Sequence, residues 1–268
     1  MTVEGGRRVA GRKKQNSRSK PLVSIITVVY NNKKLIRRTI ESVLNQDYEN
    51  TEYLIIDGGS TDGTVDIIKE YEDKIDYFVS EKDNGIYNAM NKGIGKAKGE
   101  LIGILNSDDW YEENIIKEIV THYVEAPECI QYGLCRSHDD KGKYQVATFL
   151  ASRLPEYMIA HPTCFVPKKL YLKHGLFDES YKIAGDYDLM LRFHTRGERF
   201  RFNEMIITNG TFGGICNNNP TISKREMIRA RYNNGVISKK TYMKENLKVY
   251  VTEPMRRAKE NIKRIVDK

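Results

Sequence analysis

Between Pro21 and Trp110 the chain alternates short apolar runs with stretches of helical period, and this alternation limits the possible folds more than any other feature. The run "LVSIITVVY" (22–30) is rich in β-branched residues and suits a strand buried on both faces. "EYLIID" (52–57), "YFVS" (77–80) and "ELIGIL" (100–105) read as three further strands. Between them, 33–46 places Leu35, Ile36, Ile40, Val43 and Leu44 on one helical face. "STDGT" caps a second helix through Val65, Ile67 and Ile68, and the glycine-rich 85–99 is the third. Such alternation implies right-handed crossovers and a mostly parallel sheet, with ligands beyond the carboxyl ends of the strands. Tyr30-Asn31-Asn32, Asp57 and Asp108-Asp109 all fall at such ends, three polar clusters on one edge.

Beyond residue 110 the pattern loosens. A helix is predicted over 112–125, then a hairpin of 129–135 and 143–149 around "RSHDDKG". A strand at 163–166, a helix at 186–196, strands near 200–208 and a loop at 210–220 follow. The tail from 221 reads as helices. Met243, Leu247, Tyr250 and Val251 share one face, and Met255, Ala258, Ile262, Ile265 and Val266 share another opposite basic residues. Such a helix suits either an anionic membrane surface or packing against the body.

The formal net charge of +8 is unevenly spread. Residues 1–20 carry +6 and residues 221–268 carry +9, leaving −7 on the middle. Residues 1–20 lack periodicity and aromatics, which predicts a disordered basic arm. An acidic body with basic ends is not the footprint of a nucleic-acid-binding core, whose positive charge lines the folded groove. It fits a catalytic body whose ends touch something anionic. No apolar stretch approaches the ~18 residues of a spanning helix, so membrane contact is expected to be peripheral. Cys129, Cys135, Cys164 and Cys216 form no C-x-x-C pair and no signal peptide is evident. Reduced thiols in a cytoplasmic protein are therefore expected.

Two nucleotide motifs are absent. "YNNKK" stands where a G-x-G-x-x-G would follow the first strand, and no G-x-x-x-x-G-K-[ST] occurs. What remains is an open edge bearing carboxylates. Asp57, at a strand end, suits a hydrogen bond from a base or ribose. Asp108 and Asp109 suit a hard divalent ion such as Mg²⁺ or Mn²⁺, which takes one or two carboxylates plus substrate phosphates.

In order, "VSIITVVYNN", "YLIIDGGSTDGT", "DNGIYNAMNKGI" and "GILNSDDW" resemble the nucleotide-binding half of family 2 glycosyltransferases. "HPTCFVPKKLYLKHGLFDES" and "AGDYDLMLR" resemble the acceptor-side segment of the same family, so the likeness covers about residues 21–215. It looks nearest to bacterial enzymes that build O-antigen and exopolysaccharide repeat units. The resemblance implies a GT-A fold: an α/β, Rossmann-like, mostly parallel sheet with a small antiparallel acceptor-side portion and C-terminal helices. The expected division is a nucleotide-binding half at 21–110, an acceptor half at 111–220 and a basic helical extension at 221–268.

The implied roles go residue by residue. Thr27 to Asn31, with Val29 and Tyr30, match the base-cradling strand end, and Asp57 matches the aspartate on the base. Asp83 and Asn84 match the segment that closes over the nucleotide sugar. Asn106-Ser107-Asp108-Asp109 takes the place of the metal-binding D-x-D motif, with Asp108 and Asp109 sharing Mn²⁺ or Mg²⁺. Asp186 matches the general base, with Asp188 as the alternative. His161 is a candidate contact for acceptor or diphosphate, or else structural. Trp110 is expected to pack under the metal loop, and "GGIC" (213–216) is a candidate lid. Three departures stand out: Gly58 replaces a second acid, Asn106 replaces the first acid of D-x-D, and Gly185 replaces a glutamate.

The implied reaction is inverting transfer from a nucleotide-diphosphate sugar, UDP-linked by preference, to a saccharide or polyprenyl-linked acceptor at the cytoplasmic membrane face. A carboxylate must take the acceptor's proton, and a cation must meet the charge of the departing diphosphate. The rivals are a sugar-nucleotide-forming nucleotidyltransferase, which needs a glycine-rich loop that "YNNKK" lacks, and an inactive sugar-nucleotide-binding module.

Overall fold

The computed structural model describes residues 2–11, 20–139, 141–211 and 219–251. Among them the strands are β1 (Val3–Gly5), β2 (Val23–Val29), β3 (Thr51–Asp57), β4 (Tyr77–Ser80), β5 (Leu101–Asn106), β6 (Trp110–Tyr111), β7 (Ile130–His138), β8 (Tyr144–Ala147), β9 (Phe165–Pro167) and β10 (Phe200–Thr211). The helices are α1 (Ile36–Leu44), α2 (Thr64–Lys69), α3 (Ile86–Lys96), α4 (Ile115–Glu125), α5 (Lys168–His174), α6 (Gly185–Thr195), α7 (Pro220–Asn233) and α8 (239–251).

All strands join one sheet in the order β1-β4-β3-β2-β5-β9-β7-β10-β6, with β8 paired to β7. The block β4-β3-β2-β5 is parallel throughout, as the alternation predicts. β2 is its centre because every one of its seven residues is buried. The alternation of side chains divides the core in two. Val23, Ile25 and Val29 of β2 join α1, α2 and α4 on one face, while Ile26 and Val28 join α3 and α6 on the other. Burying each such aliphatic side chain contributes about 1.5–3 kcal/mol, which outweighs the glycines that weaken α3.

The second half is interleaved rather than wound. β9 lies antiparallel between β5 and β7, β10 runs parallel to β7, and β6 closes the far edge antiparallel to β10. This is the small antiparallel portion expected on the acceptor side. The hairpin forms as β7 and β8, with the tighter connection 139–143. The strands near 200–208 are one strand of twelve residues, and α5 and β6 were not foreseen.

Two expectations about the ends need correction. The basic arm is not wholly disordered: β1 pairs antiparallel with β4 and shields the edge of the parallel block. Its anchor is electrostatic. Glu52 is only 2% exposed and needs a cation, which Arg8 supplies while also donating to the Lys96 carbonyl at 2.8 Å. Residues 12–19 lie outside the described residues.

The tail is helical, yet the face shared by Met243, Leu247, Tyr250 and Val251 points to solvent, and Val249 is the residue buried. The Arg231–Glu245 ion pair at 2.9 Å and the Tyr232–Tyr242 ring contact at 4.7 Å set that rotation. α7, in turn, packs on α6 through Ile228 and Ala230, so residues 220–233 are part of the body. The second face, from Met255 to Val266, lies outside the described residues.

Candidate active site

The carboxyl ends of β2 and β5 and the start of α6 open onto one cavity of about 610 Å³. Val29, Tyr30, Asn31, Asp83, Asn106, Ser107, Asp108, Asp109, His161 and Asp186 line it, together with Lys182 and Thr211. Residues 75 or more apart in sequence thus meet where the strand order predicts.

The loops hold one another in place. Asn31 adopts a left-handed backbone with φ 48°, a conformation asparagine tolerates. Its side-chain oxygen accepts from Thr61 N at 2.8 Å, tying the loop after β2 to the loop after β3. Asn32 Nδ2 donates to Ser107 Oγ at 2.9 Å. Thr39 of α1 shares its hydroxyl proton between the carbonyls of Ser107 and Asp109, at 2.9 and 2.7 Å. The acidic loop is therefore braced from two sides.

Asp57 and Thr27 differ from their neighbours. Asp57 is 1% exposed and does not line the cavity. Its carboxylate accepts from Gly59 N (3.1 Å), Ser60 N (2.9 Å), Ser80 Oγ (2.6 Å) and the Ser60 hydroxyl. Asp57 thereby shapes the turn after β3. Thr27 is fully buried against the Tyr53 hydroxyl at 3.0 Å, and Asn84 also stands outside the lining.

The three departures in sequence have local causes. A Cβ at Gly58 would come 2.5 Å from Asp83 Oδ2, so the Asp83 carboxylate fills the space of a side chain at 58. A Cβ at Gly185 would meet the Tyr87 ring at 2.7 Å. Tyr87 donates to the Ile183 carbonyl at 2.5 Å and lies 3.4 Å from Asp186 Oδ1, bracing the segment that a glutamate would otherwise occupy. Asn106 donates from Nδ2 to Asp109 at 3.2 Å, and its Oδ1 is buried without a partner.

The acids fall into distinct environments. Burial raises the Asp109 carboxyl to about 8, with the Asp108 charge adding to the shift. A carboxyl so placed, beside Asp108 and the unpartnered Asn106 oxygen, fits a hard divalent cation. No group of three His, Cys, Asp or Glu that would hold a metal by itself occurs among the described residues. Two carboxylates and one amide oxygen suit an ion that completes its shell with phosphate oxygens.

Asp186 sits in the first turn of α6, where the helix dipole favours a carboxylate, and accepts from Tyr187 N at 2.8 Å. Burial nonetheless raises it, and His161 opposes that rise. His161, 5% exposed and edge-on to Phe177, is itself lowered by burial. Asp188 is committed elsewhere: it pairs with Arg192 at 2.8 Å, accepts from Asn234 at 2.9 Å and lies outside the lining.

Two further residues were not singled out in sequence. Glu226 of α7 accepts from the backbone N–H groups of Lys182, Ile183 and Ala184 at 2.8–2.9 Å, pinning the approach to Asp186. Lys182, an exposed residue, also lines the cavity. Neither stands in a periodic or motif context. Trp110 lies between the Arg38 guanidinium and the His138 ring, and 213–216 lies outside the described residues.

Known proteins share both sequence and fold with this chain. An uncharacterized glycosyltransferase of Rickettsia typhi is 37% identical over 194 residues, 67% of this chain and 60% of the relative's length. Among solved structures, S. aureus TarS 1-349 in complex with UDP-GlcNAc superposes with a TM-score of 0.66 at 17% identity, covering 85% of this chain and 71% of that one. The mannosyltransferase PcManGT from Pyrobaculum calidifontis, in complex with GDP-Man and Mn²⁺, gives 0.64 at 17% identity over 91% and 74%. The architecture is the GT-A fold. The family model for glycosyl transferase family 2 matches residues 24–185, from the first buried strand to the start of α6, and the chain belongs to that family.

Proposed function

We propose that the protein is an inverting, metal-dependent glycosyltransferase that moves a sugar from a nucleoside-diphosphate donor to a saccharide acceptor. The observation that carries this reading is the meeting of Asp186, Asp108 and Asp83 in one cavity. Asp83 and the Val29–Asn31 strand end hold the nucleoside. Asp108, Asp109 and the Asn106 oxygen would hold Mn²⁺ or Mg²⁺, which when bound would neutralise charge on the departing diphosphate. Lys182 adds a second positive charge on the same side. Asp186 takes the proton of the attacking acceptor hydroxyl, and one base acting in one displacement inverts the anomeric carbon. His161 backs that carboxylate and excludes water.

UDP is the preferred nucleotide, a choice supported by the UDP-GlcNAc that TarS holds. A polyprenyl-linked saccharide at the cytoplasmic membrane face suits the outer surface of α8. There Met243, Leu247, Tyr250 and Val251 stand exposed among Lys239, Lys240, Lys244 and Lys248. No helix among the described residues is long and apolar enough to cross a membrane.

The test is a panel of UDP-, GDP- and dTDP-sugars with Mn²⁺, run with and without EDTA, the product's anomeric configuration read by NMR. One donor consumed, EDTA-sensitive and inverted, supports the reading. Retention of configuration refutes the mechanism, and binding without turnover across acceptors favours a binding module.

A further inference from the structure

The four strands on the acceptor side line up residues that the donor chemistry leaves unused. The register sets Trp110 of β6, Asn209 of β10, Arg136 of β7 and Val146 of β8 in one row. Thr211, His138 and Tyr144 form the next row on the same three inner and outer strands, β10, β7 and β8. Residues opposite one another, and those two apart along a strand, share a face. Thr211 also lines the catalytic cavity, so this face meets the cavity at Thr211.

The face is aromatic and polar by turns. The Trp110 and His138 rings are 5.3 Å apart, His138 and Tyr144 are 5.9 Å apart, and Arg136 stands 5.2 Å from the Tyr144 ring centre. Asn209 Oδ1 lies 3.0 Å from His138 Nε2 and 3.3 Å from the Arg136 guanidinium, and Asn209 Nδ2 donates to Glu112 at 2.9 Å. The His138 ring is thus held in place by Asn209. Tyr144 remains 59% exposed, on a strand whose four residues are all exposed. Beyond it Phe149 and Tyr157 stack at 4.5 Å, both about two-fifths exposed.

We propose that this face is the acceptor track, on which a saccharide of two or more sugars lies along His138 and Tyr144 with its terminal hydroxyl entering past Thr211. The proposal rests on the transferase reading and names where its acceptor binds. Sugars present apolar C–H faces and hydroxyl edges together, which suits rigid rings bordered by fixed amide, guanidinium and carboxylate groups. A polyanion is disfavoured because Glu112 sits in the same network, paired with Arg136. A lipid surface is disfavoured because polar groups interrupt the apolar ones.

The test uses the full chain and an array of immobilised hexose and N-acetylhexosamine oligosaccharides two to six sugars long, in the presence of UDP. UDP affinity is measured separately by calorimetry. The wild type is expected to retain at least one chain. Tyr144→Ala weakens that binding tenfold or more and leaves UDP affinity within twofold, while Tyr144→Phe, which keeps the ring, binds like the wild type. The proposal is overturned if Tyr144→Ala binds saccharide undiminished, or if the wild type binds UDP but no chain. It is also overturned if Tyr144→Ala lowers binding to phosphatidylglycerol vesicles instead. Saccharide binding that depends on Tyr144 in a chain with no affinity for UDP would keep the track and sink the donor reading.

Discussion

Asp186 and Asp188 are about half a helical turn apart on α6, yet they live in opposite worlds. Asp186 faces the cavity with its charge held by a helix N-terminus and a backbone N–H. Asp188 faces inward to Arg192 and Asn234. One is a carboxylate kept available, the other a carboxylate spent on packing α6 against α7. The contrast is between an acid whose burial leaves its carboxyl raised and one whose charge a guanidinium meets.

The largest expected effect breaks that pair apart. Asp186→Asn lowers transfer by 10²–10⁴-fold while making the fold more stable at pH 7–8. The sign follows from its raised pKa: the folded chain holds this proton more tightly than the unfolded one, so stability falls as pH rises above the ordinary carboxylate range, a cost the amide avoids. Asp188→Asn does the reverse, costing about 2 kcal/mol by removing the charge partner of the half-buried Arg192, with catalysis by the surviving folded fraction unchanged. Thermal melts beside initial rates separate the two.

Next in size is the acidic loop. Asp108→Asn is expected to lower transfer about 10²-fold and to abolish the response to Mn²⁺ titration, since the loop loses the carboxylate that faces the cavity. Asp109→Asn in metal-free protein should raise the melting temperature at pH 7. Its carboxyl, raised to about 8, is a burden once ionised, and the gain should shrink as pH falls toward 4. A melt series from pH 4 to 8 with EDTA checks this.

A smaller effect is expected at Glu226→Gln. Its carboxylate holds three N–H groups ahead of Asp186, and charge-assisted bonds of this kind contribute roughly 1.5–3 kcal/mol each at most. A tenfold fall in kcat with little change in donor KM would show that α7 positions the base. The acid limb of the rate profile should lie above the ordinary carboxylate range, because transfer needs Asp186 ionised. It should move higher still in His161→Phe, which removes the group that opposes the rise. Least of all, Lys182→Ala should raise donor KM a few-fold.

The donor half was the legible half. Its strands are buried on both faces, so their apolar runs announce themselves, and ligand groups sit at their ends by the geometry of parallel sheets. β2, β4 and β5 appear within a residue or two of where the runs place them. The two ends of the chain and the acceptor half were less so because their contacts join distant pieces. β1 depends on a buried Glu52 meeting Arg8, α7 on a carboxylate reaching 44 residues back, and neither leaves a local pattern. The outward face of α8 was read correctly as one apolar face, and ion pairing and ring stacking leave it toward solvent; the choice between membrane contact and packing concerned residues 255–266, which lie outside the described residues. Asp57 shows the converse limit: a strand-end acid marked the right turn, but three donors within the turn and one from β4 engage it.

The central claim is that Asp186 serves the chemical step and not donor binding. Single-turnover transfer from the donor identified by the panel, measured beside donor affinity in the wild type and Asp186→Asn, tests it directly. Donor affinity within twofold and a transfer rate at least 100-fold lower is the predicted result. A rate that survives, or one that falls only in step with donor affinity, would contradict it and move the base elsewhere.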